Sequence, residues 1–435
     1  MTKIKITLVI FILLLGLILR LHNYSVYPQR GASSDEYTYS FLGISLLTKH
    51  IPISWSAFTA YKNLQHLTID KLYFPIVYPY FDHPPFAGII VGGWSILFGQ
   101  DSFPEVNLKT VRLVPIFLST VSQILVFLLA WKIFNFKTGV WALLIYSTTA
   151  IFAISSRVVF AENVLTPLML LAIYLFYILN KKITLIKTTI ISILCGLSFW
   201  TKELGIVTFL TMLYFFISYK IKSKFLLILI TISTLIILSY GLYGMYFDWE
   251  VFRKIISLQS DRDIGPKTLQ YLISTPIIVN KVYFDGWYLF GIICFFLSFL
   301  DYSKNKILLI PSLIYFILLI FSLTEQGEMG WYMIPMFPFM AIFSARFLVE
   351  SLTKQSVFII LMMLTVGFYN IYYLYEEPFG LTPLIFRLLI FVMFGPFILA
   401  LLFNKKRIFR SLGNIWFYIF IVSNAILTYN YIHPA

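Results

Sequence analysis

The sequence predicts an all-α, polytopic membrane protein with about thirteen transmembrane helices. Three observations carry that prediction: a composition too apolar for a soluble domain, a succession of membrane-length apolar runs, and a one-sided distribution of charge. Of the 435 residues, 60% are hydrophobic and 12% are charged, whereas soluble domains carry about 25% charged residues. The mean hydropathy is +0.86. Phe (44) and Tyr (29) are abundant, as bilayer cores and interfaces favour. The net charge of +14 fits basic cytoplasmic loops and anionic lipid headgroups, with no nucleic acid partner. Cys195 and Cys294 both lie inside apolar runs, which argues against a disulfide framework or a cysteine metal site.

Apolar runs of about 17–25 residues are membrane-span candidates. They fall near 5–21, 110–131, 139–155, 163–179, 186–200, 204–219, 225–246, 284–300, 307–323, 331–348, 356–375, 383–403 and 413–430. The first follows Lys3 and Lys5 as in a signal peptide. No small-x-small cleavage pattern comes after it, so it reads as a retained helix. The runs 186–200 and 204–219 need Thr201-Lys202-Glu203 as a tight turn. A further run, 86–98, is short and holds Gly88, Gly92 and Gly93.

Topology decides how 86–98 is read. If it does not cross, the alternate loops hold Lys132/Lys137, Lys181/Lys182/Lys187, Lys220/Lys222/Lys224, Lys304/Lys306, Arg346/Lys354 and Lys405/Lys406/Arg407/Arg410. With the N-terminus cytoplasmic, every inner end is then basic. The segment therefore reads as a juxtamembrane helix in the outer interface. Of 19 acidic residues, only Asp301 and Glu350 then face inward. The rest concentrate in two long outer loops, 22–109 and 247–283, and in outer turns at 156–162, 201–203, 324–330 and 376–382. Residues 1–435 read as a single transmembrane domain with no appended soluble domain and no internal repeat.

The polar motifs sit on that outer side. Gly31-Ala32-Ser33-Ser34-Asp35-Glu36-Tyr37-Thr38-Tyr39 reads as a helix start with Ser34 as cap and two acids in the first turn. Capping and helix-dipole stabilisation account for these residues; so does a carboxylate pair held at the membrane surface for catalysis. Tyr39 follows Asp35 by four residues, on the same helix face. Tyr78-Pro79-Tyr80-Phe81-Asp82-His83-Pro84-Pro85 opens the 86–98 helix, with proline at a helix start. His83 there is an interfacial polar group, a phosphate ligand or a metal contact. In the turn Ser156-Arg157-Val158-Val159-Phe160-Ala161-Glu162-Asn163, Arg157 and Glu162 either pair with each other or serve function, because ionisable groups at membrane depth are costly. Lys202 must snorkel, pair with Glu203 or bind an anion. Tyr332, in Trp331-Tyr332-Met333-Ile334-Pro335-Met336-Phe337-Pro338, is an aromatic-belt residue on its own.

The ordered set resembles a known family. Asp-Glu in the first outer loop, His-Pro-Pro at an interfacial helix, Arg112 before the next helix, Ser-Arg…Glu-Asn, Thr-Lys-Glu and Tyr-x-x-Pro-x-x-Pro are similar to the GT-C superfamily of polyprenyl-phosphate-sugar glycosyltransferases. The branch is that of protein O-mannosyltransferases and lipid A aminoarabinose transferases. The resemblance implies a catalytic acid at Asp35, completed by Glu36, with Glu162 as second acid. It implies substrate contacts from Tyr39, Tyr80, His83, Arg112, Arg157, Lys202 and Tyr332. It names no certain cofactor; a divalent cation, Mg or Mn, would be held by Asp35 and Glu162. The lysine that often follows His-Pro-Pro in mannosyltransferases is absent, since Phe86-Ala87-Gly88 stands there. No domain is inserted in an outer loop.

The reaction so implied is inverting transfer of a sugar from a polyprenyl phosphate to an acceptor hydroxyl on a glycolipid, glycan or protein. The enzyme would sit in a prokaryotic plasma membrane with its active site extracytoplasmic. The competing class is a secondary transporter or lipid-linked sugar flippase. Transporters place ionisable groups near the bilayer midplane and show internal repeats; here the charges cluster at outer ends. A glycan ligase of another GT-C branch would carry its key residues in a large late outer loop.

Overall fold

A computed structural model of the chain describes residues 2–29, 31, 33–61, 63–69, 72–261, 265–274, 285–323, 330–354, 357–376, 380–403 and 405–430. Expectations that fall on 275–284, 324–329 and 377–379 lie outside these residues. The chain begins with α1 (Lys3–Leu21) and then leaves the bundle to form α2 (Asp35–Lys49), three strands and α3 (Phe86–Leu97). The short α4 (Leu108–Val111) bends at Arg112 into α5 (Leu113–Ile133). There follow α6 (Phe136–Thr148), α7 (Ala150–Ser155), α8 (Ala161–Leu179), α9 (Leu185–Thr201), α10 (Ile206–Ser218) and α11 (Ser223–Phe247). Two shorter helices, α12 (Trp249–Ser260) and α13 (Pro266–Ser274), precede α14 (Gly286–Leu297), α15 (Tyr302–Ser322) and α16 (Phe337–Lys354). The chain ends through α17 (Val357–Met362), a π-helical turn at Met363–Gly367, α18 (Phe368–Glu376), α19 (Pro383–Leu402) and α20 (Lys406–Asn430).

Among the described residues, eight helical stretches are long and apolar enough to cross a bilayer, and one of them, Gly286–Ser322, contains both α14 and α15. The expected spans 186–200, 204–219 and 356–375 appear as shorter apolar helices. The expected span 139–155 is broken at Thr149, which has extended backbone. There the hydroxyls of Thr148 and Thr149 bond the carbonyls of Leu144 and Ile145 at 2.8 and 2.6 Å, a local competition that bends helices. Helices α11 and α19 leave large apolar side chains such as Leu235, Leu238, Leu242 and Phe391 exposed along their lengths, surface that lipid tails cover. The protein is a multi-pass integral membrane protein.

The segment between α1 and α5 contains a structure the apolar pattern did not announce. Strands β1 (Ser54–Trp55), β2 (Asn63–Ile69) and β3 (Leu72–Val77) form an antiparallel sheet in the order β1-β3-β2. Its β1 edge holds the start of α2. The Trp55 indole N–H donates to the Ser34 carbonyl at 3.1 Å, and the Ser54 hydroxyl donates to the Thr38 carbonyl at 2.9 Å.

Helix α3 lies against α2 with almost no side chain between them. A Cβ on Gly43 would stand 1.8 Å from the Gly88 carbonyl oxygen, and one on Gly92 would stand 2.4 Å from the Gly43 carbonyl carbon. Gly88 and Gly92, four apart, give the small-residue face that lets helix backbones touch. With 12 residues, α3 is about 18 Å long, well short of a hydrocarbon core of about 30 Å.

Two other packing regions fix the surroundings. A cluster of Leu42, Tyr61, Val77, Tyr80 and Phe81 packs on Tyr240, Phe252 and Ile255, joining the α1–α5 segment to α11 and α12. Helix α12 is capped by Asp248, whose side chain accepts from the N–H groups of Glu250 and Val251 at 3.0 Å each. It buries Phe252 and Ile255 while exposing Arg253 and Lys254. Far along the chain, Arg346 is buried and pairs with Asp301 at 2.5 Å and Glu350 at 3.2 Å. The two acids that stand apart from the charge asymmetry thus converge on one arginine.

The α2–α3 contact makes a test. Gly92→Ala should destabilise the protein by about 1–3 kcal/mol through overpacking, read as a lowered unfolding temperature in detergent. Gly93→Ala should be neutral, because its Cβ would meet only Leu47 Cδ1 at 3.5 Å. Equal behaviour of the two variants would contradict the close approach.

Candidate active site

Helix α2 begins at Asp35, and the Ser33 hydroxyl rather than the Ser34 side chain accepts the Asp35 N–H, at 3.2 Å. The next two side chains part company. Glu36 is fully buried, and both its oxygens are gripped by Arg112, from Nε and Nη2 at 2.8 Å each. The Val159 N–H adds a contact at 3.4 Å. Arg112 spends its remaining nitrogen on the carbonyls of Tyr24 and Pro28 at 2.8 and 2.6 Å. Such a bidentate, charge-assisted pair is the geometry in which a buried ion pair holds together.

Asp35 is half-buried and makes no side-chain hydrogen bond or ion pair among the described residues. Burial pushes its carboxyl up to about 6, against the attraction of Lys202 and with the repulsion of Glu162 and Glu36. Tyr39 lies one turn on, 1% exposed, with its phenol hydroxyl unbonded among the described residues. Burial and then the Asp35 carboxyl hold that phenol well above the usual tyrosine range. The Tyr39 ring stacks on His83 with centroids 5.7 Å apart.

Lys202 stands at the end of α9, where the backbone turns extended. It is buried, forms an ion pair with Glu162 at the start of α8, and lies 3.6 Å from the centre of the Tyr332 ring. The Tyr332 carbonyl accepts from the Tyr315 hydroxyl at 2.8 Å. Lys202 therefore pairs with Glu162, and neither Arg157–Glu162 nor Lys202–Glu203 is the ion pair formed. An ammonium has three donors, and Lys202 also lines an open cavity of about 380 Å³. Its other walls include Glu203 and Ile206, Ile256 and Gln259 of α12, Leu318 and Phe321 of α15, and Tyr332.

Arg157 lies beneath this wall. Its Nη2 donates to the Leu19 carbonyl at 2.7 Å and its Nη1 to the Tyr27 carbonyl at 3.4 Å, where a guanidinium meets the C-terminal end of α1. The Asn163 amide donates to the carbonyls of Ser155 and Val158 at 2.9 Å each and folds the turn inward. The structure thus brings Glu162, Lys202 and Tyr332 into direct contact and stacks His83 on Tyr39 one turn from Asp35, whose carboxyl feels the charges of Lys202 and Glu162. Glu36, Arg112 and Arg157 are buried and bonded to protein groups instead. Sequence reasoning passed over Asp82, Tyr61 and Gln259. Asp82 directly precedes His83, the one signal that could have marked it.

The two carboxyls named for a divalent cation do not fit one as they stand, because the Lys202 ammonium already neutralises Glu162. Among the described residues no group of three or more His, Cys, Asp and Glu side chains assembles for a metal.

The buried Glu36–Arg112 pair yields a stability test. Glu36→Ala or Arg112→Ala leaves one charge uncompensated and should cost about 3–5 kcal/mol. The double variant should lose clearly less than the sum, read by denaturant unfolding in mixed micelles. Additive losses would mean that the two side chains do not act as a pair.

Residues 82–243 match the model of the dolichyl-phosphate-mannose-protein mannosyltransferase family. That span holds His83, Arg112, Arg157, Glu162 and Lys202; Asp35 and Tyr332 lie outside it. Among curated proteins none matches the sequence. In fold, the chain is similar to ArnT from Cupriavidus metallidurans, solved bound to undecaprenyl phosphate, with a TM-score of 0.59 at 11% identity over 99% of this chain and 77% of that one. It is also similar to the oligosaccharyltransferase of Archaeoglobus fulgidus in its apo form, with a TM-score of 0.55 at 14% identity over 99% of this chain. The same archaeal enzyme, in complex with an inhibitory peptide and a dolichol-phosphate, gives 0.52 at 12% identity. This chain spans 56% of the oligosaccharyltransferase's length. The mannosyltransferase-family match thus covers residues 82–243, and the fold of the whole chain is similar to those of ArnT and the archaeal oligosaccharyltransferase.

Proposed function

We propose that the protein transfers a sugar from a polyprenyl-phosphate donor to an acceptor hydroxyl, with inversion at the anomeric carbon, on the extracytoplasmic face of a prokaryotic plasma membrane. The acceptor is a glycolipid, glycan or protein. The N-terminus is cytoplasmic, thirteen helices span, and α3 lies in the outer interface. One observation carries this reading: Asp35, a half-buried carboxyl with no side-chain bond among the described residues, is acted on by a buried lysine that lines an open cavity. The mannosyltransferase match over 82–243 and the undecaprenyl phosphate bound by the similar ArnT support a lipid-phosphate donor.

The donor's prenyl chain stays in lipid and its phosphate approaches Lys202. The acceptor oxygen attacks the anomeric carbon from the side away from the phosphate. As the C–O bond to phosphate breaks, charge grows on the leaving phosphate, where the Lys202 ammonium stabilises it. Asp35 takes the acceptor's proton as general base. Glu162 orients Lys202 through their ion pair, and Glu36 fixes α2 so that Asp35 faces the reacting carbon. Tyr39, His83 and Tyr332 form walls of the substrate pocket. A transporter or flippase reading has no use for an unpaired base. Transfer by detergent-solubilised protein separates the two, because transport needs a sealed vesicle.

Asp35→Asn should lower kcat/KM by about 10²–10⁴ while leaving folding intact. The raised folded-state value means that ionising Asp35 costs the folded protein stability as pH rises through the unfolded value toward about 6. The variant's unfolding temperature at pH 7 should therefore match or exceed wild type. In wild type, transfer should fall below pH about 6, where the base takes up a proton. Turnover by Asp35→Asn at the wild-type rate would remove Asp35 from the chemistry.

Lys202→Ala alone would confuse lost binding with an orphaned Glu162. Lys202→Ala with Glu162→Gln should recover stability but still bind polyprenyl phosphate at least about tenfold more weakly. Wild-type affinity in the double variant would count against the phosphate contact.

A further inference from the structure

At the cavity that Lys202 lines, the Gln259 amide of α12 donates to the carbonyl of Asp82. The Asp82 carboxyl is held in place: the Tyr61 hydroxyl donates to Oδ1 at 2.7 Å, and the Ser56 hydroxyl bonds it as well. Tyr61 has no freedom to turn elsewhere, because the same oxygen accepts the Phe81 N–H at 2.8 Å. Asp82 is half-buried, and the carboxyls of Asp35 and Glu203 act on it. Its neighbour His83 stacks on Tyr39, one turn on from Asp35, which places Asp82 beside that part of α2.

Next to it stands Tyr80, 1% exposed, whose hydroxyl has no hydrogen-bond partner among the described residues. Burial first, then the Asp82 carboxyl and more weakly Tyr39, Tyr61 and Asp35, hold that phenol well above the usual tyrosine range. The Tyr80 hydroxyl is not one of the enclosed unpaired atoms, so it is open to a bound molecule. A bound molecule with donors and acceptors can partner it. Phosphate is a poor occupant beside a carboxylate, and Lys202 already serves it. A ring bearing several hydroxyls is a good one: a carboxylate has about four lone-pair sites, and a phenol both donates and accepts.

We propose that Asp82, with Tyr80, determines sugar specificity by accepting hydrogen bonds from ring hydroxyls of the donor's sugar. The assignment rests on the transfer reading above and names the part of the site that reads the sugar. Asp35 and Asp82 then stand on either side of one sugar ring, the first for the proton of the acceptor, the second for recognition. Burial pushes the Asp82 carboxyl up to about 7, against the Ser56 and Tyr61 hydrogen bonds. Near neutral pH it is thus able to accept, and in its protonated form to donate.

The test is equilibrium binding to the full chain in detergent. One probe is a hexosyl polyprenyl phosphate; the other is the same polyprenyl phosphate without sugar. Asp82→Ala should bind the sugar-bearing lipid about tenfold or more weakly, the loss expected for hydrogen bonds to a charged group, and bind the bare lipid as wild type does. Tyr61→Phe, which leaves Asp82 in place but frees its carboxyl, should give a smaller loss in the same direction. Among 2-, 3-, 4- and 6-deoxy donors, at least one should bind wild type and Asp82→Ala alike, because the hydroxyl that Asp82 reads is gone. Equal affinity of wild type and Asp82→Ala for the sugar-bearing lipid overturns the assignment, as does equal weakening toward both lipids. Binding without any transfer in wild type would instead defeat the transfer reading and leave the sugar contact standing.

Discussion

Glu36 and Arg112 set the geometry on which the site depends. A carboxylate and a guanidinium with no solvent between them hold only when their hydrogen bonds are nearly all used. Here the fork of Arg112 meets both Glu36 oxygens and its last nitrogen ties down the carbonyls of Tyr24 and Pro28. The pair pins the first turn of α2 to the start of α5. Because adjacent helix residues point about 100° apart, fixing Glu36 inward turns Asp35 away from Arg112. An Asp-Glu dipeptide thereby becomes one anchored carboxyl and one left unbonded among the described residues.

The same economy of charge recurs around it. Lys202 is neutralised by Glu162 and covered by the Tyr332 ring. Arg157 and Arg20 bond the carbonyls near the C-terminal end of α1. Arg346 collects Asp301 and Glu350. With those charges satisfied, Asp35 stands out by making no side-chain bond among the described residues, and burial raises its pKa. Around it, the glycine contact of α2 with α3 and the cluster that joins Tyr80 and Phe81 to α11 and α12 make the α1–α5 segment part of the bundle rather than a loose connection.

Much of this was legible in the sequence. Composition and apolar runs announced the membrane bundle, and charge register together with Gly88 and Gly92 set α3 apart as a short helix of its own. The dipeptide Asp35-Glu36 marked the site but not the division of labour within it, because the partner that separates the two, Arg112, is 76 residues away. Likewise Glu162 and Lys202 were each suspect on cost grounds, yet their pairing joins two helices and no local pattern encodes it. The sheet went unread: β2 and β3 are short, and the search for membrane-length runs is blind to period-two strands. Asp82 was hidden for another reason. Its role rests on Tyr61, 21 residues earlier, and Gln259, 177 residues later, contacts that exist only after the segment packs on α12.

The most direct measurement of the central claim is a structure with a non-transferable polyprenyl-phosphate sugar analogue bound. The account predicts a phosphate oxygen within hydrogen-bonding reach of Lys202 Nζ, about 3 Å, with the sugar ring between Asp35 and the phosphate. A phosphate seated away from Lys202, for instance with the lipid lying in the apolar groove that Leu17, Trp94 and Phe117 line, would contradict it.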